Sequence, residues 1–172
     1  MTWRQAVVIG ITTFLAVIVQ VTLLSRLGLP GATPDLVVVT VVAIALAMGP
    51  VPGATAGFSA GILIDLAPPA DTLLGVNALV YIAVGFITGF VIDPRDRTVP
   101  IMIGIVGLAA AASTLAVAAL DSLMGATRVS WEDMPTMVLT SALYAVVMAP
   151  LVIVGMAWVA RRVAPDVSVL TG

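Results

Sequence analysis

Apolar residues run in long segments along this chain, separated by short groups of polar, glycine and proline residues. The segments predict six helices, at residues 6–24, 36–48, 53–66, 73–92, 99–124 and 135–160. A helix rises 1.5 Å per residue, so about 20 residues cross a hydrocarbon core of roughly 30 Å. The pattern therefore predicts an all-α, polytopic membrane helical bundle. We expect one transmembrane domain over residues 1–172, with six transmembrane helices.

The second and third segments are shorter than the others and are separated by the sequence Gly49-Pro50-Val51-Pro52. Proline lacks a backbone N–H and clashes with the preceding turn, so a helix cannot pass through this stretch without a strong kink. Two arrangements are compatible with the pattern. The segments form either a tight helical hairpin or one bent, partly re-entrant element.

Small and polar residues recur every fourth position on both sides of the loop that follows Leu66. The first stripe is Gly53, Gly57, Gly61 and Asp65, and the second is Asn77, Tyr81, Gly85, Gly89 and Asp93. Residues four apart lie on one helix face, and small residues at this spacing let helix backbones approach closely in lipid. The stripes predict helix-packing faces, which we interpret as surfaces that hold partner membrane proteins.

Several polar residues have predicted structural roles. Asp35 follows Pro34 at a helix start, where a carboxylate suits the helix dipole. Asn77 and Tyr81 are expected to hydrogen-bond a neighbouring helix, and Gln20 near the end of the first segment is expected to make helix–helix contacts.

Two carboxylates occur near the ends of helices, where they oppose the helix dipole and should need a partner or water. For Asp65, which lies on the glycine face, we expect a structural or partner-binding role. For Asp121 we expect an interfacial side chain that faces water. Arg26 and Arg128 are the cations predicted on the same side of the membrane.

Composition supports the membrane assignment, because 61% of the residues are hydrophobic, 9% are charged and the mean hydropathy is +1.21. A soluble domain carries about 25% charged residues. The chain contains no cysteine and no histidine, which excludes disulfides, Cys/His metal sites, thiol nucleophiles and histidine catalysis. We therefore expect no enzymatic activity, no cofactor and no metal. The G-x-S-x-G match at 57–61 lacks a histidine base and is not interpreted as catalytic.

The arginines predict the orientation. With six spans and a cytoplasmic N-terminus, five arginines lie inside and two outside, in agreement with the positive-inside rule. A five-span arrangement with an outside N-terminus gives the same ratio, so charge alone leaves the number of spans open. Both arrangements place the loop at 93–97 and the C-terminus in the cytoplasm. Trp3, Trp131 and Trp158 lie at segment ends and are expected to anchor the chain at the membrane interface.

The central stretch resembles the MreD family of bacterial rod shape-determining membrane proteins. The resemblance is carried by Pro34-Asp35, Gly49-Pro50, Gly53, Gly57-Phe58, Gly61, Asp65, Gly75, Ala78-Leu79, Tyr81 and Gly85. It implies a non-enzymatic component of the cell-elongation machinery in the bacterial plasma membrane. The implied partners are an MreC-like protein, the MreB filament, a RodA-type glycosyltransferase and a class B penicillin-binding protein. The implied fold has six spans, similar to the substrate-binding subunits of energy-coupling-factor transporters, and favours the hairpin for 36–66.

Two other functions remain open on the sequence. A vitamin-binding subunit of an energy-coupling-factor transporter would need a pocket with a few placed polar and aromatic groups, and nine aromatic residues (three Trp, two Tyr and four Phe) are few for this role. A membrane enzyme would need converging carboxylates, for which Asp65 and Asp121 are the available pair. The scaffold is the function that the residue types favour.

Overall fold

The computed structural model describes residues 3–26, 28, 31–67, 74–92, 98–125 and 131–163, and six α-helices account for most of them. The helices are α1 (Trp3–Thr22), α2 (Leu36–Met48), α3 (Pro50–Leu66), α4 (Val76–Val91), α5 (Val99–Leu123) and α6 (Met134–Val163), with a 3-10 turn at Leu24–Arg26. Within these residues there is no strand. The all-helical architecture predicted from the sequence is confirmed for this part of the chain.

The break between α2 and α3 is narrower than predicted. Gly49 alone separates the two helices, with φ of 98° and ψ of −174°, and α3 begins at Pro50 rather than at Gly53. The first N–H groups of a helix have no intrahelical acceptor, so proline is tolerated in the first turn. Pro50 therefore starts a helix here and does not extend the interruption.

Three helical stretches are long and apolar enough to cross a membrane, namely Trp3–Arg26, Val99–Leu123 and Met134–Arg162. The last of these continues through Pro150 without interruption. The apolar helices α2 and α4 have 13 and 16 residues and are shorter. Length and composition thus identify three helices that could span a membrane. These two criteria do not establish the six spans that the hydropathy pattern predicted.

The short helix α2 lies at the centre of the bundle. Its residues from Val37 to Leu46 are at most 3% exposed, and it contacts each of the other five helices. A helix that is apolar on all sides must be enclosed by other elements, and Leu36–Met48 carries Thr40 as its single polar residue. The bundle is therefore organised around α2, whereas the sequence pattern pointed to the glycine stripes.

Hydrogen bonds show that the helices α1 to α4 run in alternating directions. The Gln20 side chain near the end of α1 accepts from the backbone of Val37 at the start of α2. The Tyr81 hydroxyl in α4 donates to Asp35 before α2, and Asn77, one turn earlier in α4, donates to Asp65 at the end of α3. Both ends of the α2–α3 pair therefore lie on one side of the bundle, called here the Asp35 end. This geometry is a hairpin, as the resemblance implied.

The outer surface of the bundle is strongly apolar. Leu108 on α5 and Leu139 and Leu151 on α6 are 72%, 70% and 81% exposed, and large apolar side chains are exposed on α1 and α4 as well. Soluble monomers rarely expose contiguous apolar patches above a few hundred Å². A surface of this kind, together with three helices of spanning length, is that of a membrane protein.

Candidate functional site

The two predicted stripes face each other across the contact between α3 and α4. A methyl group on Gly53 would lie 2.6 Å from the carbonyl oxygen of Gly85, and one on Gly89 would lie 2.6 Å from Cα of Pro50. Real Cβ atoms essentially never approach other atoms below 3.0 Å. The backbones of α3 and α4 are therefore too close for any side chain at these positions.

The same close approach continues along the middle of the contact. A methyl group on Gly57 would overlap the carbonyl of Tyr81, and one on Gly61 would overlap Cα of Ala78. Packing of this type maximises van der Waals contact between helices, which drives helix association in lipid, where the hydrophobic effect between helices is absent.

The structure thus brings together the eight described residues assigned to these faces, and all eight are buried: Gly53, Gly57, Gly61, Asp65, Asn77, Tyr81, Gly85 and Gly89. Asp93, the last residue of the second stripe, lies outside the described residues. The stripes pack within the chain, so a partner protein could reach them only if α3 and α4 separated. A surface for partners must therefore be sought elsewhere on the bundle.

Asp65 closes the α3–α4 contact at the Asp35 end. Its carboxylate accepts hydrogen bonds from the backbone N–H groups of Gly75 (2.8 Å), Ala78 (3.3 Å) and Asn77 (3.4 Å). It also accepts from the Asn77 side-chain amide at 2.8 Å. The negative charge compensates the positive end of the α4 dipole, and the first N–H groups of α4 gain an acceptor. Asp65 therefore caps α4 from the last turn of α3, and this compensation needs no arginine.

Asp35 joins the start of α2 to α4. One carboxylate oxygen accepts from the backbone N–H of Val38 at 3.0 Å, which caps α2 as predicted, and the other accepts from the Tyr81 hydroxyl at 2.9 Å. Burial raises the pKa of the Asp35 carboxyl above its ordinary value, while the hydrogen bonds from Val38 and Tyr81 act in the opposite direction. The pair fixes the position of α4 relative to the central helix.

Polar contacts also attach α1 to this core. The Gln20 amide oxygen lies 2.8 Å from the backbone nitrogen of Val37, which confirms the predicted helix–helix contact. Thr13, which is fully buried, lies 3.4 Å from the Ser59 hydroxyl in α3. Ser59 also donates to the carbonyl groups of Thr55 and Ala56 in its own helix. The serine of the G-x-S-x-G match is thus a helix residue with structural contacts.

The helices α5 and α6 form a second close pair. Gly107 approaches Val146, where a methyl group would lie 2.8 Å from a side-chain carbon. The Thr114 hydroxyl donates to the Ser141 hydroxyl at 3.0 Å. These contacts were not predicted from the sequence, although the serine and threonine residues of the two long helices were a possible signal.

Asp121, in the last turn of α5, differs from its prediction. The residue is 8% exposed, so the interpretation as a side chain that faces water is wrong. Its Oδ1 atom and the hydroxyl of the adjacent Ser122 are enclosed, and neither has a hydrogen-bond partner in the described part of the chain. The rotation of α5 about its own axis places Asp121 toward the bundle interior. A hydropathy average does not contain this rotation.

An apolar groove of about 610 Å³ lies between α4 and α5. Its lining includes Ala83 and Ile87 on one wall and Ala109, Ala112 and Ala116 on the other; Thr88 is the one polar residue among those that line it. The alanines of α5 are spaced by three and four residues, as are those on the contact seam of a coiled coil. This spacing is the feature of the sequence that predicts a helix-contact face at the groove.

The described residues contain no group of three Asp or Glu side chains that could hold a metal ion. The carboxylates of Asp35 and Asp65 are engaged in helix capping, as shown above. Among the described residues these two carboxylates therefore contribute to packing within the bundle.

Comparison with known proteins found no family model, no curated protein and no solved structure that matches this chain. The resemblance to the MreD family accordingly stays a prediction.

Proposed function

We propose that this chain is a non-enzymatic, integral membrane scaffold of the bacterial cell-elongation machinery, of the type that the resemblance to the MreD family implies. The observation that carries the proposal is the use of Asp35, Asp65, Asn77 and Tyr81 in contacts within the chain. Asp35, Asp65 and Tyr81 are the polar residues among those that carry the resemblance, and their roles are structural. A bundle whose polar groups serve its own packing offers other membrane proteins an apolar surface.

The proposed location is the bacterial plasma membrane, with six spans and both termini in the cytoplasm. The alternating directions of α1 to α4 support the proposed crossings, although α2 rises only about 20 Å at 1.5 Å per residue. Because α2 is enclosed by other helices, its length need not match the thickness of the bilayer. The arginine distribution supports the orientation.

The α4–α5 groove is the proposed contact for a transmembrane helix of a partner, such as an MreC-like protein, a RodA-type glycosyltransferase or a class B penicillin-binding protein. Small side chains on α5 allow a partner helix to approach closely, which is how helices associate in lipid. The groove has almost no polar lining, as expected of a surface that receives an apolar helix.

Filling the groove tests this function. We expect Ala112→Trp to reduce co-purification of the MreC-like partner from membranes by at least tenfold, because the indole would occupy the space of the partner helix. Leu139→Trp is the matched control, since Leu139 is 70% exposed on the outer face of α6. Wild-type recovery of the partner with a folded Ala112→Trp protein would refute the groove as the contact. Failure of the wild-type chain to restore cell shape in an elongation-defective strain would refute the scaffold function itself.

The second candidate is a vitamin-binding subunit of an energy-coupling-factor transporter. The groove volume favours it, because small-molecule sites usually measure about 300–1,000 Å³. Such sites also place several polar groups around the ligand, and Thr88 alone is polar here. Native mass spectrometry of the purified chain with a panel of vitamins would decide between the two functions, since the scaffold predicts no bound vitamin.

A further inference from the structure

Thr88, the polar residue in the lining of the α4–α5 groove, has a side chain that the chain's own packing does not use. The residue is 8% exposed. Elsewhere in the bundle Thr22, Thr40 and Thr114 each donate their hydroxyl to the carbonyl group four residues earlier in the same helix. No hydrogen bond of the Thr88 hydroxyl is found within the described part of the chain.

The hydroxyl of Thr88 is open to the groove. The side-chain atoms that are both enclosed and without a partner, among the described residues, are Oδ1 of Asp121 and the hydroxyl of Ser122, and the Thr88 hydroxyl is not one of them. A hydroxyl in an apolar environment is unfavourable without a hydrogen bond, and it can both donate and accept one. An occupant of the groove that supplies a polar group beside Thr88 is therefore favoured over one that is wholly apolar.

We propose that the helix in this groove carries a hydrogen-bonding side chain, Ser, Thr, Asn or Gln, that pairs with Thr88. This inference rests on the proposed contact between the groove and a transmembrane helix of a partner. The alanines of the α5 wall, Ala109, Ala112 and Ala116, let the partner backbone approach closely. A charged side chain is disfavoured, because the described residues that line the groove include no charged group to pair with it.

The position of Thr88 along α4 determines where the polar residue of the partner lies. Thr88 is three residues before the end of α4 at Val91, and Asn77 at the start of the helix lies at the Asp35 end. At a rise of 1.5 Å per residue, Thr88 is about 5 Å from the end of α4, which faces the cytoplasm in the proposed orientation. We expect the polar residue of the partner within about two turns of the cytoplasmic end of its transmembrane helix.

Substitution of Thr88 by valine tests the pair, because valine has nearly the same shape and lacks the hydroxyl. We expect Thr88→Val to reduce co-purification of the MreC-like partner from membranes by about threefold or more, the effect of an average interhelical hydrogen bond in a membrane. Thr88→Ser keeps the hydroxyl and should restore recovery to near the wild-type amount. Thr136→Val is the matched control, since Thr136 is exposed on α6 and is not part of the groove lining.

The stability of the purified chain without a partner gives an independent measurement. Because the Thr88 hydroxyl has no hydrogen bond in the described part of the chain, Thr88→Val should leave the unfolding temperature in detergent unchanged or raise it. A lower unfolding temperature would show that the hydroxyl bonds within the chain, and would overturn the inference.

A double-mutant cycle identifies the partner residue. Each Ser, Thr, Asn or Gln near the cytoplasmic end of the partner's transmembrane helix is replaced by an apolar residue. Loss of one of them should lower recovery, and Thr88→Val should then cause no further loss. Independent effects of Thr88→Val and of every partner substitution would refute the pair.

The inference and the proposed function fail in different ways. If Ala112→Trp abolishes recovery of the partner and Thr88→Val leaves it unchanged, the helix contact stands and the polar pair is refuted. If neither substitution changes recovery, the groove is not the contact and both are refuted. If Thr88→Val lowers the amount of phospholipid retained in native mass spectrometry and leaves recovery of the partner unchanged, a lipid occupies the groove and the inference is refuted.

Discussion

The contact between α3 and α4 provides the sharpest test of the structure, through the substitution Gly57→Ala. The added methyl group would overlap the carbonyl of Tyr81 and would lie 2.7 Å from the backbone nitrogen of Ile82. Ordinary van der Waals contact begins at 3.4 Å. The two backbones must therefore separate by at least the difference, 0.7 Å, and the neighbouring contacts along the same stripe must loosen with them.

The expected cost follows from this displacement. Overpacking a well-packed contact by one methyl group costs about 1–3 kcal/mol. Alanine is favoured over glycine inside a helix by about 1 kcal/mol, which offsets part of that cost. Because backbone atoms of α4 cannot rotate away as a side chain could, we expect the upper part of the range and a net destabilisation of about 1–2 kcal/mol.

The measurement is reversible unfolding in mixed micelles, compared with Gly104→Ala. Gly104 is also a helical glycine, in α5, but nothing lies within 4 Å of a methyl group at its position. Gly104→Ala should therefore leave stability unchanged or raise it slightly. Equal stability of Gly57→Ala and Gly104→Ala would show that the two stripes do not pack against each other as described.

Two further substitutions probe the capping and the core. Asp65→Asn should destabilise the chain by about 1.5–3 kcal/mol, because the N–H groups at the start of α4 would then donate to a neutral acceptor in place of a charged one. Asp133→Asn, at an exposed position, should have little effect on the free energy of unfolding in detergent. Equal stabilities of the two variants would contradict the capping role of Asp65. Ile44→Ala should cost about 2–5 kcal/mol, since Ile44 is fully buried in α2. Leu151→Ala, at a site 81% exposed on α6, should cost under 0.5 kcal/mol in the same assay, and an equally small effect of Ile44→Ala would contradict the central place of α2.

The repeat of small residues every four positions in the central stretch was sufficient to predict which residues form close helix contacts. Glycine at every fourth position has a direct local meaning, because the helix period places these residues on one face whatever the rest of the fold. The cap of α2 could be predicted in the same way, because Asp35 directly precedes that helix. The periodicity could not say what each face meets, and so the stripes were assigned to partner proteins although they meet each other.

Other features depend on distances that the chain order does not contain. Asp65 caps a helix that begins eleven residues later, so its acceptor role depends on how α3 and α4 pack against each other. The exposure of Asp121 depends on how α5 is rotated within the bundle, and hydropathy averages over that rotation. The α4–α5 groove is formed by residues of both helices, so neither helix encodes it alone.

The sequence by itself determined the helical class, the membrane-like composition and the faces on which small residues allow close approach, because these depend on local period and on residue type. Only the tertiary structure decided that α2 is the enclosed centre, that the glycine faces of α3 and α4 pack against each other, and that Asp121 is buried. Each of these is a relation between elements that are distant in sequence, and helix packing in lipid depends on shape complementarity, which is a property of pairs of surfaces.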